Sequence, residues 1–225
     1  IWQMNKSLAV LVLGYSRPEL IQRCIQSIGH LGLPSSTDVF CSIDKWHDES
    51  IKERNEETVR VVKHLQSLSL VDYVIERQVN LGCAVNVTRS VTELLKDYSS
   101  VFVVEDDLEF VENSENLVSV FRELLTDEMT SFTAYCHSTS VQNMFWSCRF
   151  SSQTWFTTRN HWENFCLKEM KRLVLTTQQR SDIRKQLGSD MLRDFRVFQS
   201  GKLDTWAVPW NVFNYLEGRK MLYPP

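Results

Sequence analysis

The chain has 225 residues, of which 43% are hydrophobic and 24% charged, which is typical of a soluble globular protein with a sizeable core. Its formal net charge of −3 argues against a nucleic-acid-binding protein, since such a surface needs a basic stripe. No apolar run is long enough to cross a bilayer, and no signal-peptide pattern is visible. None of the six cysteines lies in a CxxC pair, which argues against a zinc knuckle and leaves free thiols or disulfides open.

Continuous apolar runs alternate with helical patterns along the first half of the chain. The runs predict strands at residues 8–13, 39–43, 71–75 and 101–104. Between them, periodic apolar residues predict helices that begin at Pro18 and span residues 47–68 and 84–95. Because strands and helices alternate, the sequence predicts an α/β fold with a mostly parallel sheet flanked by helices.

Polar side chains follow each predicted strand at its carboxyl end: Ser16, Arg17, Asp44, Arg77, Asn80, Glu105, Asp106 and Asp107. In open α/β sheets, ligands bind beyond the carboxyl ends of the strands. We therefore expect a crevice of nucleotide size, in which Asp44 accepts a hydrogen bond from a base and Arg77 pairs with a phosphate. Any one of these residues taken alone is better explained as a loop residue with a local capping role, and only the four strand ends taken together favour the crevice.

Three consecutive carboxylates, Glu105, Asp106 and Asp107, end the fourth strand. They would repel one another unless a cation lies among them, and Mg²⁺ or Mn²⁺ favours carboxylate oxygen while keeping positions open for phosphates. The alternative is a solvated acidic turn, but the fully apolar strand before the acids favours a metal site. The sequence has neither the P-loop pattern GxxxxGK[ST] nor the dinucleotide pattern GxGxxG.

The second half of the chain carries two candidates for a catalytic carboxylate. Asp204 stands alone among apolar and Trp residues, and a carboxylate that is desolvated there would acquire a raised pKa, which suits a general base. The alternative is that Asp204 caps a helix predicted over residues 205–216. Asp190 is the second candidate, one helical turn before Asp194 in a region, 163–198, that the pattern predicts to be helical.

Short motifs in this sequence resemble those of GT-A glycosyltransferases. Glu105-Asp106-Asp107-Leu108 resembles the EDDL variant of the DxD motif in the N-acetylglucosaminyltransferase I type. The segment 80–83, Asn-Leu-Gly-Cys, resembles the NLGC segment of bacterial family-2-like sugar transferases, which places Asn80 and Gly82 in the donor site. The resemblance implies that Asp107 coordinates Mn²⁺ or Mg²⁺ on the donor's two phosphates, while Glu105 and Asp106 face the donor sugar and ribose.

Two further segments carry a weaker resemblance to the same enzymes. Asp204-x-Trp206 resembles their Asp-x-Trp segment, which implies that Asp204 is the catalytic base. Residues 150–165 resemble their SSWGWATW segment but depart from it at Gln153-Thr154-Trp155-Phe156-Thr157-Thr158. Trp155 is a candidate for stacking on a sugar ring, and core packing is the equal alternative.

The resemblance implies a hexosyl- or N-acetylhexosaminyl-transferase. It would move a sugar from a nucleotide-diphosphate donor, with a UDP-sugar favoured, to a hydroxyl of a carbohydrate or glycoconjugate acceptor, with inversion. We expect a single GT-A catalytic domain over residues 1–225, in which residues up to about 110 bind the nucleotide sugar and the rest bind the acceptor.

Two alternatives share this fold. One is a catalytically silent nucleotide-sugar or carbohydrate-binding protein, and the other a sugar nucleotidyltransferase. The second needs a Gly- and Lys/Arg-rich loop after the first strand, which residues 14–18 do not supply. The lack of a visible targeting segment favours the cytoplasm, with possible peripheral membrane contact, whereas the start at Ile1 leaves a trimmed Golgi lumenal domain open.

Overall fold

The computed structural model describes residues 7–112, 114–135 and 143–224. Its strands are β1 (Ala9–Gly14), β2 (Asp38–Ile43), β3 (Tyr73–Glu76), β4 (Ser100–Glu105), β5 (Met129–Phe132), β6 (Phe145–Ser147), β7 (Thr154–Thr158) and β8 (Lys220–Tyr223). Its helices are α1 (Pro18–Ser27), α2 (Glu49–Ser67), α3 (Cys83–Leu94), α4 (Leu117–Glu123), α5 (Arg159–Trp162), α6 (Leu167–Arg172), α7 (Thr177–Gln186), α8 (Ser189–Gln199) and α9 (Ala207–Leu216). Cys136 lies outside the described residues, and the other five cysteines are free thiols.

The main sheet has five strands in the order β3-β2-β1-β4-β7. The first four are parallel, and β7 runs antiparallel to β4 at one side. The predicted α/β fold with a mostly parallel sheet is therefore confirmed. The four predicted strands and three predicted helices of the first half all form, with ends that differ by one or two residues.

Two apolar layers cover the two faces of this sheet, because successive side chains of a strand point to opposite faces. In β1, Val10 and Val12 pack on the layer that contains α1 and α2, while Ala9 and Leu11 pack on the layer that contains α3. All four side chains are fully buried. This burial on both faces explains why the strand reads as an uninterrupted apolar run.

A second, smaller sheet has the order β5-β8-β6. The Ser131 hydroxyl donates a hydrogen bond of 2.5 Å to the carbonyl oxygen of Phe156 in β7. The small sheet is thereby joined to the antiparallel side of the main sheet. Across all described residues, no helix is both long enough and apolar enough to span a membrane.

The predicted helical region 163–198 consists of three helices, α6, α7 and α8, rather than one. Thr176 begins α7 through a capping box, in which it exchanges hydrogen bonds with Gln179. Gly188, with a φ of 107°, separates α7 from α8 in a conformation that a residue with a side chain rarely adopts. The apolar pattern marks the buried face of each helix but does not show where the chain breaks.

Four tryptophans form the centre of the layer that covers the α3 face of the sheet: Trp155, Trp162, Trp206 and Trp210. The ring centroid of Trp155 lies 4.5 Å from that of Trp206 and 5.5 Å from that of Trp162. Such ring pairs contribute packing energy beyond the area that they bury. Trp155 on β7 therefore fastens α5 and the start of α9 to the sheet.

We predict that Trp155→Ala lowers the free energy of unfolding by about 3–5 kcal/mol, since it leaves a large cavity among rings that cannot fully close it. Chemical denaturation followed by circular dichroism measures the change. Val174→Ala, at an exposed position, serves as the control and should change stability by less than about 0.5 kcal/mol. A similar loss in both variants would contradict a central packing role for Trp155.

Candidate functional site

A cavity of about 550 Å³ opens at the carboxyl ends of β1, β2 and β4. Its lining consists of Leu13, Gly14, Tyr15, Arg17, Asp44, His47, Asn80, Gly82, Cys83, Asn86, Val87, Glu105, Asp106 and Asp204. Parallel pairing explains the location, because it brings the carboxyl ends of these strands to one edge of the sheet. The cavity has the volume of a typical small-molecule site.

The buried carboxylate of Asp44 fixes the loop that leads into α3. It accepts hydrogen bonds from the backbone N–H groups of Leu81 and Gly82, at 2.9 Å each, and from the Asn80 side chain at 3.3 Å. A further bond of 3.0 Å comes from the N–H of Lys45. A carboxylate has about four acceptor positions. Asp44 therefore uses its oxygens to hold the loop that forms the cavity wall. These are the oxygens that were expected to accept a hydrogen bond from a nucleotide base.

Arg17, in the loop after β1, binds two of the three consecutive acids. Its guanidinium forms an ion pair with Asp106 through two nitrogens and donates to Oδ2 of Asp107 at 3.0 Å. The Asp106 side chain is 3% exposed, whereas the side chains of Asp107 and Arg17 are 40% and 47% exposed. Burial raises the pKa of Asp106, and the Arg17 guanidinium opposes that rise. The positive charge that the acids require is thus supplied by the protein itself.

Glu105, the first of the three acids, lines the cavity, and within the described ranges it has no ion pair like that of Asp106. Desolvation, followed by the negative charges of Asp107 and Asp106, raises its pKa to about 7. The guanidinium of Arg17 opposes this rise without cancelling it. Near neutral pH the side chain therefore exchanges between a neutral form and a charged one.

Asp204 lies across the cavity and binds the N-terminus of α3. Its carboxylate accepts hydrogen bonds from the backbone N–H groups of Cys83, at 2.6 Å, and Ala84, at 3.1 Å. The first N–H groups of a helix lack partners within it, and the helix dipole favours a negative charge there. Gly82 is required at this contact, because its φ is 78° and a Cβ atom would lie 2.5 Å from Asp204 Oδ2.

These contacts correct the capping interpretation of Asp204. The helix expected from residue 205 begins at Ala207, and Trp206 occupies its N-cap position. Asp204 instead caps a helix that lies more than a hundred residues earlier in the chain. The Asp204 side chain is also exposed, whereas the expectation of a desolvated general base required it to be buried.

Five predicted site residues lie outside the cavity lining: Ser16, Arg77, Asp107, Trp155 and Asp190. The carbonyl oxygen of Ser16 accepts from Arg54 at 3.4 Å, and Asp190 pairs with Arg149 at 2.5 Å on the surface. Trp155 is fully buried, so neither of its faces is open to a sugar ring.

The Arg77 side chain points back along α3 rather than into the cavity. It donates to Asn86 Oδ1 at 3.1 Å and Ser90 Oγ at 2.8 Å, and pairs with Glu93 at 3.0 Å. Asn86 also accepts from the hydroxyl of Ser42 on β2. Arg77 thus belongs to a polar network between α3 and the sheet, and its guanidinium is not turned towards a phosphate.

Several lining residues were not identified from the sequence, and the clearest are Tyr15 and His47. The Tyr15 hydroxyl and His47 Nδ1 are 2.6 Å apart, and the two rings are stacked with centroids 6.1 Å apart. Each residue follows a predicted strand by a few positions, in the loops after β1 and β2. The same strand-end argument that selected Arg17 and Asp44 would have found them.

The residues offer at most a partial metal site. Among the described residues, no group of three or more His, Cys, Asp or Glu side chains converges to hold an ion. Asp107 is half exposed, and its recorded contact with Arg17 uses only one of its carboxylate oxygens. Magnesium-like ions are often held by one or two carboxylates together with substrate phosphates. Asp107 fits that arrangement as a single ligand.

Comparison with known proteins shows similarity at the level of fold. No family model and no curated protein sequence matches the chain. The mannosyltransferase PcManGT from Pyrobaculum calidifontis, solved in complex with GDP-Man and Mn²⁺, is 12% identical with a TM-score of 0.55, over 94% of this chain and 73% of its own. The structure of S. aureus TarS 1-349 is 12% identical with a TM-score of 0.51, over 70% of this chain.

The chain spans about half, 48%, of that TarS structure. At these identities, the similarity shows the fold alone. The chain therefore has the GT-A fold of nucleotide-sugar glycosyltransferases: an α/β architecture with a mostly parallel, mixed sheet flanked by helices.

We predict that Glu105→Gln stabilises the metal-free protein at pH 8 and has little effect at pH 4. The raised pKa means that the folded state disfavours the charged form of Glu105. The resulting loss of stability begins as the pH rises above about 4.5, the pKa in the unfolded state, and is complete above about 7, the pKa in the folded state. A shift of this size corresponds to about 3 kcal/mol. Thermal unfolding of both proteins across this pH range measures the difference, and an equal offset at every pH would contradict it.

Proposed function

We propose that the protein is a glycosyltransferase that moves a sugar from a nucleotide-diphosphate donor to an acceptor hydroxyl, as a hexosyl- or N-acetylhexosaminyl-transferase. The observation that carries this proposal is the cavity at the carboxyl ends of β1, β2 and β4, which is lined by Arg17, Asp44, Glu105 and Asp106 on a GT-A fold. PcManGT, which has a similar fold, was solved with GDP-Man and Mn²⁺.

In this proposal, the first half of the chain binds the donor. Every lining residue of the cavity except Asp204 lies between Leu13 and Asp106, which supports the expected division near residue 110. The loop that Asp44 holds would form one wall of the donor site. Arg17, which lies beside the acidic segment, carries the positive charge that binding of a diphosphate requires.

Asp107 would hold Mn²⁺ or Mg²⁺ through its exposed carboxylate, together with the donor phosphates. When bound, such an ion would neutralise charge on the departing nucleoside diphosphate. The protein's own contribution is to position the phosphates next to Arg17 and to keep the carboxylates of Glu105 and Asp106 beside the donor. A UDP-sugar remains the favoured donor, and a carbohydrate or glycoconjugate the favoured acceptor.

Asp204 is the proposed general base, because it lines the cavity and Asp190 does not. The acceptor oxygen would form a bond to the anomeric carbon while the bond to the diphosphate breaks, with inversion. The hydroxyl proton would pass to Asp204. The N–H groups of Cys83 and Ala84 fix this carboxylate in position and leave acceptor positions on its oxygens for that proton.

A catalytically silent nucleotide-sugar-binding protein is the second candidate. One observation favours it: Arg17 already pairs with both Asp106 and Asp107, so these acids have a cationic partner without a metal ion. Such a protein would bind a nucleotide sugar without turnover. Assays of transfer, beside assays of binding, separate the two proposals.

We predict that UDP raises the thermal unfolding midpoint when Mn²⁺ is present. GDP, CDP and dTDP are tested in parallel for comparison. A ligand at a hundredfold excess over its dissociation constant adds about 2.7 kcal/mol to the stability of the state that it binds. Asp107→Ala should abolish the metal-dependent part of the shift. Glu109→Ala is the matched control, since it removes a nearby exposed acid that pairs with Arg23 instead. If no nucleoside diphosphate shifts the midpoint with any metal, the donor site is wrong.

We predict that Asp204→Asn lowers kcat/KM by about 10²–10⁴-fold, since the amide cannot accept the proton. It should cost only about 1 kcal/mol of stability, because an Asn oxygen still caps a helix. Transfer from the nucleotide sugar that stabilises the protein, measured beside the unfolding midpoint, separates the two effects. Asp190→Asn should leave the rate within about twofold. If the loss of stability in Asp204→Asn accounts for its whole loss of rate, Asp204 is only a structural cap and not the general base.

A further inference from the structure

Arg17 pairs with the carboxylate of Asp107, the residue proposed to hold a divalent cation. Its guanidinium bridges the carboxylates of Asp106, which lines the cavity, and Asp107, which lies just outside the lining. The buried Asp106 is bound through two guanidinium nitrogens, which is the geometry of strong carboxylate recognition. A metal ion that approached these oxygens would meet a fixed positive charge.

The arrangement follows from the fold. Because Leu13 in β1 pairs with Glu105 in β4, the loop after β1 lies directly beside the acids after β4. Arg17 is the residue before Pro18, which begins α1, so its backbone is fixed at the helix start. Only the side chain is free to change position, and it is 47% exposed.

We propose that Arg17 is an internal competitor of the metal ion, which makes tight metal binding conditional on the donor diphosphate. This inference rests on the proposed function and specifies how its site is regulated. With no donor, Arg17 pairs with Asp106 and Asp107 and keeps metal affinity low. When a diphosphate enters, Arg17 turns to the phosphate oxygens, and the carboxylate of Asp107 becomes available to the ion.

Charge balance supports this exchange. In the donor-free state, one guanidinium faces two carboxylates, so the pair of acids retains about one negative charge. A diphosphate brings further negative charge to a site where Arg17 is the only guanidinium among the cavity-lining residues. Arginine binds phosphate oxygens in the same fork geometry with which it binds carboxylate, so Arg17 itself keeps its hydrogen bonds, while Asp106 and Asp107 give up theirs.

Metal affinity of the donor-free protein tests the proposal directly. Titration with Mn²⁺, followed by isothermal calorimetry or by the electron paramagnetic resonance of free Mn²⁺, gives the dissociation constant without an activity assay. We expect Arg17→Gln to bind Mn²⁺ about tenfold more tightly than the wild type, which corresponds to 1.4 kcal/mol. Arg23→Gln is the matched control, because Arg23 pairs with the nearby Glu109 at 3.2 Å. It should leave the affinity unchanged.

Arg17→Lys provides a second variant in case the unpaired Asp106 destabilises Arg17→Gln. A lysine keeps the charge but cannot bridge both carboxylates, so its Mn²⁺ affinity should lie between those of the other two proteins. In the wild type, adding a nucleoside diphosphate should tighten Mn²⁺ binding, and this coupling should shrink in Arg17→Gln.

Unchanged or weaker Mn²⁺ binding by Arg17→Gln, with circular dichroism showing a folded protein, would overturn the proposal. An equal gain in Arg23→Gln would also overturn it, because the effect would then be one of general charge. These outcomes are distinct from a failure of the proposed function. If no nucleotide binds to the wild type, the competition in the donor-free protein is still measurable.

Discussion

The parallel register of β1 is the constraint on which the cavity depends. Gly14 at the end of β1 pairs with Ile43 of β2, and Leu13 pairs with Glu105 of β4, so three strands end at the same level. Burial on both faces fixes this register, because a slip of one residue would send every side chain to the opposite face. The loops that carry Tyr15, Asp44 and the three acids meet for this reason, although they are far apart in the chain.

Most carboxylates of the cavity lining already have partners within the protein. Asp44 accepts hydrogen bonds from backbone N–H groups of its neighbouring loop, Asp106 pairs with Arg17, and Asp204 caps the N-terminus of α3. Glu105 is the exception, and it responds by a rise in its pKa to about 7. A ligand that enters this site therefore exchanges existing interactions for new ones. The net affinity of a ligand depends on how much stronger its interactions with these residues are than the internal interactions that it replaces.

Sequence patterns predicted the strands, the helices of the first half and the edge of the sheet where the cavity lies. Arg17, Asp44, Asn80, Glu105 and Asp106 do lie together in the cavity lining, because the end of a buried strand can be read from the pattern. They failed for Arg77 and Trp155, since a strand-end position does not reveal which way a side chain points. The partner of Asp204 could not be found either, because a contact between residues more than a hundred positions apart leaves no local signal.

The order of strands has a consequence for self-association. On its β7 side, the main sheet is tied to the smaller sheet by the bond from Ser131 to Phe156, so that flank is covered. On the other side, β3 is only four residues long, and its last residue, Glu76, pairs with Lys63 at 2.6 Å. Short edge strands that end in charged pairs offer little template for a further strand. The edge of the sheet is thereby protected against pairing with a second copy, while the cavity at the strand ends stays open.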